Sequence, residues 1–201
     1  MNVLPYGDAA VLVEPDAADQ VLALASACAS LDGVREVVPA ARTLLLVLSE
    51  PAVAAAVTSA VSGLSVAPST PGQGAGEVVL DVVYDGADLD ATASELGFDA
   101  DGLVRAHTTA RYSVAFCGFV PGFAYLSGLP DELHAPRLES PRTRVPSGSV
   151  GIAGGFSGVY PRESPGGWRL LGRTDATLWD PRRTPPALLA PGTAVRFRAV
   201  R

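Results

Sequence analysis

Residues 116–174 constrain this chain most, because glycine, proline and arginine alternate there with apolar runs of only a few residues. Pro121-Gly122, Gly154-Gly155 and Pro165-Gly166-Gly167 are turn and breaker signals set close together. Between them Val145, Val150, Ile152, Trp168, Leu170 and Leu171 supply strands of a few residues and nothing long enough for a helical layer. Many short strands separated by turn chemistry predict a β-barrel or sandwich.

The segments before this stretch read differently. Residues 9–13 form a short strand candidate, and Val21, Leu22, Leu24, Ala25 and Cys28 recur at helical spacing up to Leu31, with Asp16 as the expected N-cap. Asp32-Gly33 ends that helix, and Val34 to Val38 and Thr43 to Leu48 read as strands joined near Pro39. Ser49 is the expected cap of a second helix that carries Pro51 in its first turn and runs to about Val61. The predicted fold class is therefore α+β: a small N-terminal α/β domain over 1–65, a Pro/Gly/Ser linker over 66–76 and a β-barrel domain over 77–201. Within the last, Glu77 to Tyr84 and Tyr112 to Phe116 are strands, Asp88 to Leu96 and Asp99 to Thr108 are short helices broken by Gly97, and Ala194 to Ala199 closes the chain. The two helices outline a helix-turn-helix, but Asp85, Asp88, Asp90, Glu95, Asp99 and Asp101 around them would repel phosphate, so no nucleic-acid partner is expected. Gly72, Gly74 and Gly76 lack the strand before and helix after that a dinucleotide loop needs.

A chain of 201 residues holds one large or two small domains with a real core. The apolar run Thr43 to Leu48 is too short to cross a bilayer, and Met1-Asn2-Val3 lacks the basic start of a signal peptide. Cys28 and Cys117 lie far apart and form no paired motif, which predicts a reduced, cytoplasmic protein without a membrane partner. Charge is segregated: residues 1–136 carry four arginines against 17 acids, a balance of −13, and residues 137–201 carry 11 arginines against four acids, a balance of +7. Two readings follow, a solvated face on each half or an anion site in the second. The absence of lysine removes a Walker-type phosphate loop and a Schiff base.

The chemistry-bearing residues are few. His107, Cys117 and His134 have no metal-ligand spacing, so no metal is expected. Ser147 and Ser149 sit in P-S-G-S-V-G, which lacks the first glycine of a nucleophile elbow and suits turn or anion-binding serines. His107, at the end of an apolar helix face, is either a structural histidine or the candidate catalytic acid–base. Arg142, Arg144, Ser147, Ser149 and Arg173 together suit a small carboxylate or phosphate, since guanidinium forks hold such anions bidentately; as bare structure, the arginines would pin loops. Phe119, Phe123 and Tyr125 are either core aromatics or an apolar partner surface on turn-rich backbone.

Three blocks in order, G-F-x-P-G-F-A-Y-L, P-R-x-x-V-P-x-G-S-V-G-I-A-G and Y-P-x-x-S-P-G-G-W-x-L-x-G-R-T, resemble the family of the 5-oxoprolinase B subunit. That family is also described as allophanate hydrolase subunit 1 or as sporulation-kinase inhibitors, and it is similar to half of the carboxyltransferase region of urea carboxylase (subdomain C and D). The resemblance runs from Tyr6-Gly7-Asp8 to Pro191-Gly192 and departs at Phe156-Ser157, where the family commonly has Gln-Thr. It implies a cyclophilin-like barrel, without implying prolyl isomerase activity. It further implies one component of an ATP-dependent 5-oxoprolinase that opens 5-oxo-L-proline to L-glutamate with a C-type partner subunit and a separate A subunit. ATP would sit at or near the partner interface, for which Phe119, Phe123 and Tyr125 are the candidates. The alternatives are an inhibitor of a histidine kinase, or the carboxyltransferase half of a urea carboxylase or allophanate hydrolase-like complex, whose biotin would come from another chain.

Overall fold

Strict alternation of apolar side chains builds the first unit. Its strands are β1 (Asn2–Pro5), β2 (Ala10–Glu14), β3 (Val34–Pro39) and β4 (Leu44–Leu48), and its helices are α1 (Val21–Cys28) and α2 (Ala54–Ser62). The sheet is antiparallel in the order β1-β2-β4-β3. Val11 and Val13 of β2 and Leu44, Leu46 and Leu48 of β4 share one face and bury against Leu24, Cys28, Val57 and Val61 of the helices. β1 is an addition to the expected order, since four residues ending in proline carry little strand signal. Two expected caps are corrected. A 3-10 turn at Ala18–Gln20 precedes α1 and leaves Asp16 outside the helix, and Glu50, not Ser49, stands at the cap position before the 3-10 turn that starts at Pro51.

The computed structural model describes residues 1–67 and 76–201, and the chain divides into two units, Met1–Thr70 and Pro71–Arg201. Most of the expected linker over 66–76 lies outside the described residues. The second unit contains β5 (Glu77–Val83), α3 (Leu89–Glu95), α4 (Ala100–Thr109), β6 (Tyr112–Cys117), β7 (Ala124–Ser127), β8 (Arg142–Val145), β9 (Ser149–Ala153), β10 (Phe156–Val159), β11 (Ser164–Gly166), β12 (Arg169–Arg173) and β13 (Ala194–Val200). Seven strands close into a barrel in the order β10-β7-β6-β13-β5-β12-β9, and β8 and β11 pair as a separate ribbon. β5 and β13 run parallel, whereas the other barrel pairs are antiparallel.

Alternation again decides which side chain goes where. Val150 and Ile152 of β9 and Leu171 of β12 point into the barrel with Leu80, Val114, Leu126 and Phe197. Their neighbours Ala153 and Leu170 point the other way, into a second cluster with Phe123, Tyr160, Trp168 and Val145 of the ribbon. The two helices form a packed excursion whose Leu89, Ala93 and Leu103 join the barrel core. Asp99 caps α4 by accepting the Gly102 N–H at 2.6 Å.

Candidate functional site

The charge segregation resolves into pairs formed across the second unit. Carboxylates of β5, α3 and the turn between them meet arginines from the basic half: Glu77 with Arg196, Asp81 with Arg198, Asp85 with Arg173 at 3.0 Å, Asp88 with Arg142 at 2.6 Å, and Glu95 with Arg169 at 2.9 Å. Arg144 pairs with Glu163 at 2.6 Å. Each arginine expected to hold an anion thus already has a carboxylate, and the loop-pin reading fits Arg144 and Arg173. The pairs differ in weight. Arg144–Glu163 and Arg173–Asp85 are exposed on both sides, where water screens the attraction. Asp88 is nearly buried; its Oδ2 accepts the Leu170 N–H at 2.7 Å while its Oδ1 takes Arg142. Arg142→Ala should therefore cost about 3 kcal/mol by leaving that carboxylate short of its counter-charge, whereas Arg144→Ala and Arg173→Ala should each stay within about 1 kcal/mol. Urea denaturation of the three variants checks the order.

Ser147 and Ser149 do not join the arginines in a common cradle. Ser147 Oγ donates to the Pro161 carbonyl, and Ser149 is buried in β9, where its backbone carbonyl accepts the Tyr160 N–H. Gly148 between them has φ +81°, donates its N–H to Tyr160 O at 2.7 Å and accepts from Thr174 N–H at 2.9 Å. The glycine motif serves a close backbone crossing.

His107 is fully buried in the barrel core, where its ring stacks on Phe197 at a centroid distance of 4.5 Å. Ser157 Oγ donates to Gly151 O, so it accepts from His107 Nε2, and Nδ1 in turn accepts from Tyr84 Oη at 2.7 Å. The network fits the neutral ring, and burial pulls its pKa from 6.5 down to about 3. A substrate cannot reach this imidazole, which corrects the acid–base expectation to the structural one. Burial also raises the Tyr84 phenol.

The three aromatics expected at a partner surface separate. Phe123 is core, packed edge-on against Trp168 and Tyr160. Tyr125 is half-buried and stacks on Phe116 at 4.2 Å, and Phe156 packs against both rings. Only Phe119 stands out, 56% exposed. Sequence reading missed Trp179, which is 39% exposed, and Asp88; Trp179 forms an isolated bridge with Ala187 in a stretch without periodicity, and Asp88 lies 54 residues from its partner Arg142. An open groove of about 710 Å³ lies between Glu95, residues 136–140 and Arg169, and none of the expected site residues lines it. Among the described residues no cluster of His, Cys, Asp and Glu has the makings of a metal site, and no helix is long and apolar enough to cross a membrane.

A model of the carboxyltransferase domain, subdomain C and D, matches residues 1–189. Among curated proteins, the 5-oxoprolinase B subunit of Escherichia coli O157:H7 is 49% identical over 60% of this chain and 56% of its own length. The Bacillus subtilis protein of that name is 44% identical over 56% of this chain and 47% of its own. The matches thus span about half the length of these relatives. Among solved structures, TTHA0988 superposes with a TM-score of 0.80 at 34% identity, over 96% of this chain and 40% of that one. PH0987 from Pyrococcus horikoshii superposes at 0.61 and 33% identity, over 99% of this chain and 97% of that one. Urea carboxylase of Kluyveromyces lactis, at 0.72 and 18% identity over 99% of this chain and 22% of that one, shares the fold.

Proposed function

The chain belongs to the carboxyltransferase domain family, subdomain C and D, and from that premise we propose that it is the B subunit of an ATP-dependent 5-oxoprolinase. The observation that carries the reading is the 42–49% identity to three curated proteins of that name. The assembly opens 5-oxo-L-proline to L-glutamate with a C-type partner and an A subunit, and ATP binds at or near the partner interface. A lactam is a poor electrophile; phosphorylation of its carbonyl oxygen turns that oxygen into a leaving group and calls for cationic groups around the developing charge. Of the residues expected to meet an anion, Arg142 supports this best, because its Nη1 is buried without a hydrogen-bond partner while Nη2 holds Asp88. Arg142 is the candidate contact to the substrate carboxylate or a phosphate.

A histidine sealed in the core and arginines already paired do not make a complete catalytic set. The purified chain alone should release no glutamate from 5-oxo-L-proline and ATP, and turnover should appear once the C-type and A subunits are added. Following glutamate by coupled assay tests this. Robust turnover by the chain alone would overturn the shared-site reading, and no turnover in the full mixture would overturn the assignment.

A further inference from the structure

Three hydrogen-bond donors without acceptors meet at the β8–β11 ribbon. The first is Arg142 Nη1, buried and unpartnered while Nη2 holds Asp88. Arg142 stands opposite Gly166 in the pairing of β8 with β11, and a Cβ at Gly166 would strike the hydroxyl of Tyr160. The tip of that phenol therefore lies against the strand pair that carries Arg142. The Tyr160 hydroxyl is the second donor. Tyr160 is buried, and the hydrogen bond that reaches its oxygen comes from the Trp168 backbone amide, itself a donor, so the phenol hydrogen has no acceptor among the described residues. The third donor is Arg137, exposed and without a carboxylate partner among the described residues. Burial raises the Tyr160 phenol, and the Trp168 amide, Arg137 and Arg142 each oppose that rise, so both guanidiniums act on one oxygen.

The backbone fixes how Arg137 arrives there. Leu138 donates its N–H to Gly167 O at 2.8 Å, and Pro141 packs against Gly167. Gly166 and Gly167 put no side chain between this segment and the phenol. Arg137 and Leu138 also wall the open groove beside Glu95 and Arg169, so a solute can reach Arg137 from solvent.

We infer that Arg142 Nη1, Tyr160 Oη and Arg137 hold one carboxylate group of a small-molecule ligand. Donors gathered without an acceptor select a group that only accepts, and the two oxygens of a carboxylate offer enough lone pairs for all three. Asp88 decides between anions: its carboxylate lies 2.6 Å from the other half of the Arg142 fork and repels a phosphate dianion more than a carboxylate. The inference deepens the proposed function and rests on it for the ligand, 5-oxo-L-proline, and it adds Tyr160 and Arg137 as binding residues.

Thermal unfolding of the full chain at constant ionic strength tests the site directly, with sodium acetate and inorganic phosphate as probes against chloride. Acetate should raise Tm, and phosphate should raise it less. Tyr160→Phe keeps the ring in its aromatic cluster and removes only the hydroxyl, and Arg137→Ala removes an exposed side chain. Each should raise the acetate concentration needed for the same shift by about tenfold, and Arg137→Lys should recover part of the loss. No protection by acetate, or protection that both variants retain, overturns the inference. Stronger protection by phosphate overturns the choice of a carboxylate. In the assembly reconstituted with the C-type and A subunits, both variants should raise KM for 5-oxo-L-proline about tenfold and leave KM for ATP unchanged. A rise in KM for ATP alone would likewise count against the carboxylate. Acetate protection in a chain whose wild-type assembly opens no 5-oxo-L-proline supports the site and rejects the 5-oxoprolinase reading.

Discussion

Between pH 7 and pH 4 the barrel is expected to lose about 3 kcal/mol of stability through His107 alone. The ring is neutral in the folded protein, with a pKa held down to about 3 by burial, and returns to about 6.5 on unfolding. In that window the unfolded chain binds a proton that the folded chain refuses, so stability falls as pH falls. The contribution is intact above about pH 6.5 and is lost progressively down to about pH 3, at up to about 1.4 kcal/mol per pH unit. Both tryptophans, Trp168 and Trp179, lie in the second unit, so their emission during urea unfolding reports the barrel specifically. His107→Gln removes the titration but breaks part of the bonding to Tyr84 and Ser157. It should be less stable at pH 7, and its curve should converge on the wild-type curve as the solution is acidified. Wild-type and variant curves that fall in parallel would show that surface carboxylates, not His107, set the acid limit.

Gly148→Ala should destabilise the same unit by about 3–5 kcal/mol, a Tm loss of about 10–20 °C. Two costs add there. The backbone sits at φ +81°, which an L side chain resists, and the new Cβ would lie 2.3 Å from the Thr174 carbonyl oxygen, a backbone atom that cannot swing away. Moving Thr174 would stretch its bond to Gly148 O and, through Gly148 N–H, the bond to Tyr160 O. Gly192→Ala separates the two costs, because Gly192 has φ +84° but nothing within 4 Å of the added Cβ. It should lose only about 1 kcal/mol. Equal losses at the two positions would mean that the crossing at Gly148 is looser than its distances indicate.

Much of the fold was legible because it rests on local periodicity. β5, α3, α4, β6 and β13 fall within a residue or two of the expected bounds, since each has clear alternation, helical spacing or a cap such as Asp99. The turn-rich stretch was legible as short strands but not as a barrel wall plus a ribbon. What sends β8 and β11 away from the wall is the outward cluster around Trp168 and Tyr160, which no local pattern encodes. The site was less legible, for one physical reason: a charge states its sign in sequence but not its partner. Asp85 and Arg173 are 88 residues apart, so the basic second half looked free to take an anion when much of it was committed. His107 was ambiguous for the same reason, because Ser157, 50 residues on, is what encloses it.

The parallel pairing of β5 with β13 has a consequence for how the chain comes off the ribosome. Asp81 and Arg198 face each other across that pair although 117 residues separate them. Until the last strand has emerged, β5 and β6 each carry a row of unpaired backbone groups, and the nascent unit is an open sheet with two sticky edges. β13 also lies beyond residue 189, where the family match stops. An expression fragment trimmed to the matched residues would therefore omit the stave that closes the barrel, and it should collect in inclusion bodies.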